Sequence, residues 1–190
     1  MNRENRNIMY TIGSALGGIA AGVVASRLLP PLVAQTGGAL RSKMGKDPFS
    51  RLIRDHQKIR SLLNEMVQTP EGHLARRAKL FLNLKRTLAK HAMAEEDVVY
   101  PLLHGPLNDP RHSKHLYDEH ADIKIHLYEI EQLLMRNENW SERVRALRDL
   151  VEAHVRDEEE VQFPKLRQHL SKRQNSMVAG GISREEALVL

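Results

Sequence analysis

The 190-residue chain contains no cysteine, which excludes a disulfide framework, a thiolate nucleophile and a thiolate metal site. Any protein-bound metal must then rest on His, Asp, Glu or Tyr. Aromatic residues make up only 4%, too few for a base-stacking platform, and no helix-turn-helix pattern accompanies them. The formal net charge of +5 comes from 29 basic and 24 acidic residues in the whole chain, and both signs alternate along 50–170, as on a mixed, solvated surface. No nucleic-acid partner is expected. Long charge-free runs are also missing, with one exception from Ile8 to Ser26.

That stretch is long enough to span a bilayer, and Gly13-x3-Gly17 and Gly18-x3-Gly22 have the small-residue spacing of closely packed membrane helices. Glycine and alanine dilute its hydrophobicity, so three readings stay open. It is a Gly/Ala-rich N-terminal helix anchoring residues 8–29 in a membrane, a signal peptide cut near Val23-x-Ala25, or an arm without a membrane role. As an anchor it places the following domain in the cytoplasm, because Arg27, Arg41, Lys43 and Lys46 outweigh Arg3 and Arg6. Gln35 to Asp47, with Gly37, Gly38 and Gly45, reads as a basic linker that closes a 1–47 segment.

What the chain has in quantity is helical periodicity. Apolar positions recur at steps of three and four from Phe49 to Met66, Leu74 to Leu102, Leu116 to Leu134 and Val144 to Val161. Val98, Leu102 and Val161 fall on the inward seam. Breaks at Thr69-Pro70-Glu71-Gly72, Gly105-Pro106 to Pro110 and Asn137-Glu138-Asn139 separate the runs. Four helices with short loops predict an all-α, up-down-up-down four-helix bundle over 48–170. Residues 171–190 read as a flexible C-terminal tail in which Ser183-x-x-Glu186 is a candidate helix cap.

Polar residues interrupt the seams at His56, His91, Glu95, His120, His154 and Glu158. His91-x3-Glu95 and His154-x3-Glu158 each put an imidazole and a carboxylate on one helix face. The likeness runs on, because Glu95-Glu96-Asp97-Val98 and Tyr100-Pro101 match Glu158-Glu159-Glu160-Val161 and Phe163-Pro164 at a spacing of 63 residues. His56 and His120 are 64 apart, so the pattern is an internal duplication about a pseudo-two-fold axis. A single seam histidine is more often a satisfied core residue than a ligand. Six polar groups from four helices point to metal, since each left unpartnered in the core costs roughly 2–7 kcal/mol. Four imidazoles and two carboxylates exceed a closed zinc site and suit two iron ions bridged by Glu95 and Glu158, with an open position for oxygen, peroxide or nitric oxide.

The order His56, His91/Glu95, His120, His154/Glu158 resembles the hemerythrin-like (HHE cation-binding) domain family over 48–170. The resemblance implies a four-helix bundle around a non-haem di-iron centre, with roles from oxygen carriage to sensing of oxygen, nitric oxide or iron and peroxide or nitric-oxide chemistry. Two departures count against stable oxygen carriage. Lys124 stands where the oxygen carriers have a second histidine on the third helix, and His154-x3-Glu158 stands where they have His-x4-Asp, with Glu159 at the competing position. Tyr117 is a candidate to fill the place of the missing imidazole, and Glu96 and Glu159 are candidate supports for the ligands. His73, His104, His112, His115, His126 and His169 lie off the seam and are expected at the surface. Three functions compete: a binding or sensing module, a di-iron enzyme that processes peroxide or nitric oxide, and a structural bundle with a docking role.

Overall fold

The computed structural model describes residues 47–189, so the N-terminal stretch and its candidate anchor at 8–29 lie outside the described residues. Among the described residues, no helix is long and apolar enough to cross a membrane. The elements are α1 (Ser50–Gln68), α2 (Leu74–Ala94), α3 (Tyr100–His104), α4 (Pro110–Met135), α5 (Ser141–Asp157), α6 (Phe163–His169) and α7 (Lys172–Leu188). One π turn, Glu95–Val99, joins α2 to α3, and another, Glu158–Gln162, joins α5 to α6.

The long helices α1, α2, α4 and α5 form a closed ring in which α1 touches α2 and α5, and α4 touches the same two. Cross-helix pairs give their directions. Glu65 meets Arg76 while His56 meets His91, and Glu129 meets Arg143 while His120 meets His154, so each hairpin is antiparallel. Arg60 to Glu152 and Lys85 to Glu131 close the remaining sides of the up-down-up-down ring. Helix starts follow local chemistry: Pro110 sits in the first turn of α4, where its missing N–H is harmless, and the Asp109 side chain accepts from His112 N.

Two apolar clusters fill the bundle. One contains Leu63, Phe81, Leu84, Ile130, Trp140 and Leu147 at the end of the 69–73 turn, where the buried Arg77 guanidinium lies 4.3 Å over the Trp140 ring and donates to Glu138 O. The other contains Phe49, Leu52, Tyr100, Leu103, Phe163 and Leu166 around the π turns. The polar residues of the seam lie between them.

The π turns shift the pattern expected from periodicity. Tyr100 N–H donates to Glu95 O and Phe163 N–H to Glu158 O, each five residues back. Pro101 and Pro164 follow directly, and a proline can neither donate an i→i−4 bond nor fit its ring against that carbonyl, which the widened turn accommodates. One added residue rotates the downstream side chains by about 100°. As a result Val161 is exposed and Val98 and Leu102 are half-buried, contrary to the seam expectation, while Val99, Tyr100 and Leu103 in one copy and Gln162, Phe163 and Leu166 in the other face inward.

The C-terminal residues also depart from expectation. Lys172–Leu188 is a helix, opened by a capping box between Ser171 and Gln174, and it buries Val178 and Ile182 against α2 and the first π turn. Ser183 is no cap. It lies mid-helix, where its hydroxyl donates to Ala179 O and accepts from Arg51.

Candidate metal centre

The last turns of α2 and α5 aim His91 and His154 inward, the π turns place Glu95 and Glu158 one turn on, and α1 and α4 bring His56 and His120 across. None of the six exceeds 3% exposure. Two groups of donors result, and they share Glu95. In the first, one atom each from His56, His91, Glu95 and Glu158 lies within 4.8 Å of every other. His56 Nε2 is 3.2 Å from Glu158 Oε2 and 3.6 Å from Glu95 Oε1, and His91 Nε2 is 3.1 Å from Glu95 Oε2. In the second, Glu95 joins His120 and His154, whose Nε2 atoms are 3.2 Å apart.

Two observations test whether these donors suit cations. His56 Nε2, His91 Nε2, Glu95 Oε1 and Glu158 Oε2 are all buried and have no aligned hydrogen-bond partner, although they converge. Ligands about 2.1 Å from one ion sit roughly 3.0–3.5 Å from each other, which matches the separations above. The opposite ring nitrogens supply the second observation. His56 Nδ1 lies 2.8 Å from Glu159, His120 Nδ1 2.9 Å from Glu96 and His154 Nδ1 2.9 Å from Glu119. A carboxylate acceptor makes Nδ1 the protonated nitrogen, so each Nε2 presents a lone pair to the interior. Lone pairs of His120 and His154 facing each other at 3.2 Å call for a cation between them.

Protons take that part when metal is absent. Burial opposes charge on His56, but Glu158 and Glu95 overcome it and push the imidazole up to about 10. His120 rises to about 9, with burial again opposing and Glu95 and Glu96 prevailing, and His154 rises beside Glu158 and Glu119. Burial works against the Glu95 carboxylate, yet His91, His120 and His56 hold it well below the usual range.

Tyr100 completes the centre and was missed by the sequence pattern. Its hydroxyl lies 2.9 Å from both Glu158 Oε1 and His120 Nε2 and 3.5 Å from Glu95 Oε2. Burial and the neighbouring carboxylates raise its pKa well above the ordinary phenol value, so it stays a donor. Tyr117, the sequence candidate for this place, instead turns outward and donates to Glu96 O. Lys124 is exposed and holds Glu96, just as Arg60 faces Glu159 in the other half. Glu96 and Glu159 do hold histidine rings, those of His120 and His56, and Glu119, which periodicity did not reveal, holds a third, His154; its signal was that it precedes His120 as Asp55 precedes His56. His73, His104, His115 and His169 are exposed as expected, whereas His112 and His126 are half-buried, His112 bound to Asp157 at 2.6 Å and His126 with its Nδ1 buried. A largely apolar cavity of about 160 Å³ adjoins His91, His120 and His154, walled by Ile59, Leu88, Ile123 and Leu127.

A model of the hemerythrin HHE cation-binding domain matches residues 47–166. The chain belongs to this family. Among curated relatives of this hemerythrin-family chain, a Nostoc protein named DNA nickase is 32% identical over 125 residues, 66% of this chain and 35% of that protein. An uncharacterized hemerythrin-like protein of Schizosaccharomyces pombe is 25% identical over 140 residues, 73% of this chain and 68% of the relative. The chain thus spans about a third of the Nostoc protein's length. No solved structure matches it significantly.

Proposed function

We propose that this hemerythrin-family chain is a non-haem di-iron protein that binds or senses oxygen, nitric oxide, peroxide or iron itself. The observation that carries the proposal is the pair of donor groups sharing Glu95, with unpartnered buried atoms aimed at common points. Bound iron would supply redox chemistry and an open coordination position. The chain's own residues do the rest: Glu96, Glu119 and Glu159 orient the imidazoles, the apolar cavity admits a small uncharged ligand, and the Tyr100 hydroxyl offers it a hydrogen bond.

A second reading, processing of peroxide or nitric oxide as an enzyme, is favoured by Tyr100. It is a buried donor 2.9 Å from both His120 and Glu158, positioned to hold a proton beside the donors of both groups. DNA nicking belongs to the name of the Nostoc relative, most of which lies beyond this chain. Ligands at most 3% exposed leave no face on which a duplex phosphate could reach the ions, which favours a small ligand.

Metal analysis with an optical spectrum of protein grown with iron tests the proposal. About two irons per chain with near-ultraviolet oxo-to-iron bands support it, and a chain without iron sinks it. Adding peroxide to the loaded protein and following gas release separates enzyme from sensor.

A further inference from the structure

The duplication predicts four carboxylate-held histidines, and three are present. His56 is held by Glu159 and its counterpart His120 by Glu96; His154 is held by Glu119. By the same symmetry His91 should be held by Asp55, the residue that corresponds to Glu119. It is not. His91 Nδ1 is buried without a partner, and so is Asp55 Oδ2. Aspartate is one methylene shorter than glutamate, so the support that Glu119 gives to His154 falls short here.

The place where the symmetry fails is where α7 docks. Glu186, only 4% exposed, enters a polar cavity of about 150 Å³ together with Asp55, Arg51, Arg54 and Lys90. Arg51 pairs with Glu186, and Lys90, the neighbour of His91, lies 3.8 Å from it. Neither Glu186 oxygen has an aligned hydrogen bond, and Asp55 lines the same cavity. The cavity is polar and large enough for a bridging water. A second contact ties α7 to the same ligands: a Cβ on Gly181 would come within 3.0 Å of Val98, inside the π turn that carries Glu95. The family match ends at residue 166, so α7 lies outside the matched residues.

We infer that Glu186, acting with Asp55 across this cavity, is the positioning residue for His91, and that docking of α7 is thereby coupled to metal loading. The inference rests on the di-iron reading above. Coupling of this kind is reciprocal: whatever docking adds to metal affinity, metal adds to docking. Loss of the ions would loosen the C-terminal helix and make it the element that reports the state of the centre.

Full-length protein is compared with E186A, E186Q and G181V, each checked for folding by circular dichroism. Iron per chain, chelator-competition affinity and hydrogen exchange in 174–188 are measured. E186A and G181V are expected to weaken iron binding roughly tenfold or more, the range seen when a ligand's support is removed. E186Q keeps an acceptor oxygen for His91 and retains most of the affinity, although it loses the charge that Arg51 pairs with. Stripping iron from the wild-type chain speeds exchange in α7. If wild-type protein holds two irons and E186A equals it, or if α7 exchanges alike with and without iron, the inference fails alone. If E186Q loses as much iron affinity as E186A, Glu186 only pins the helix and the positioning role fails. A wild-type chain that takes up no iron overturns the di-iron reading and this inference together.

Discussion

The two halves of the bundle present the same ligands in different surroundings. On one side of the centre the residue five places after the motif glutamate is Tyr100, whose hydroxyl touches Glu158 and His120. At the matching place on the other side stands Phe163, which stacks parallel to His56 at 6.1 Å and lies 4.8 Å from Phe49. His56 is therefore covered by a phenyl ring, while its counterpart His120 has a hydroxyl beside it. Duplication repeats the donors, and divergence at a single position gives one half a phenyl ring and the other a hydroxyl.

The largest effect expected is from Glu95→Ala, because Glu95 is the one residue common to both donor groups. Iron should fall from about two per chain to below one by elemental analysis, while His73→Ala, on the surface, leaves it unchanged. If only half of the iron is lost, the two groups do not share the carboxylate. Next comes Glu119→Ala, which frees His154 Nδ1 in the better-supported half. A drop of roughly 10–100-fold in metal affinity is expected from chelator competition. An unchanged value would mean that Glu119 is no more use to His154 than Asp55 is to His91.

Tyr100→Phe makes the two sides alike. Iron content should hold, while nitric-oxide affinity weakens roughly tenfold for the loss of a hydrogen bond of about 1.5 kcal/mol. Equal nitric-oxide titrations for the two proteins would remove the distinction between the sides. The smallest effect is one of pH, shared by both halves. His56 and His120 are raised in the metal-free protein to about 10 and about 9, so the stabilisation they bring is fully present below their ordinary value and lost as pH rises through those figures. The melting temperature of metal-free protein should fall between pH 7 and 10. Iron-loaded protein, in which protons no longer hold the site, should vary less by the same calorimetry.

Much of this was legible in the sequence, for reasons that the same residues make plain. His56, His91, Glu95, His120, His154 and Glu158 could be brought together on paper because helical spacing and the 63-residue repeat act over short, regular stretches. Tyr100 could not, because a seam drawn at steps of three and four passes through Val98 and Leu102 and takes no account of a turn with one residue too many. The sign was present in Pro101 and Pro164, each six residues after the motif glutamate, where an unbroken helix would be obstructed. The helix α7 was hidden for another reason. A polar, glycine-containing stretch read as a flexible tail, yet Gly181 serves close packing on Val98, and Glu186, read as part of a cap, is buried with Glu185. Ser171 and Gln174 carried the capping signal that Ser183 was given instead.

The widened turn before each proline has a further consequence. Removing one residue from 96–99 would set Tyr100 four residues after Glu95 in place of five, one ordinary α turn, so the phenol would keep its face while the turn lost its width. Pro101 would then press its ring on the carbonyl four residues back, which the widened turn now spares it. The surplus residue is a relief joint: it lets the chain carry a proline next to the buried donors without turning the hydroxyl away from them.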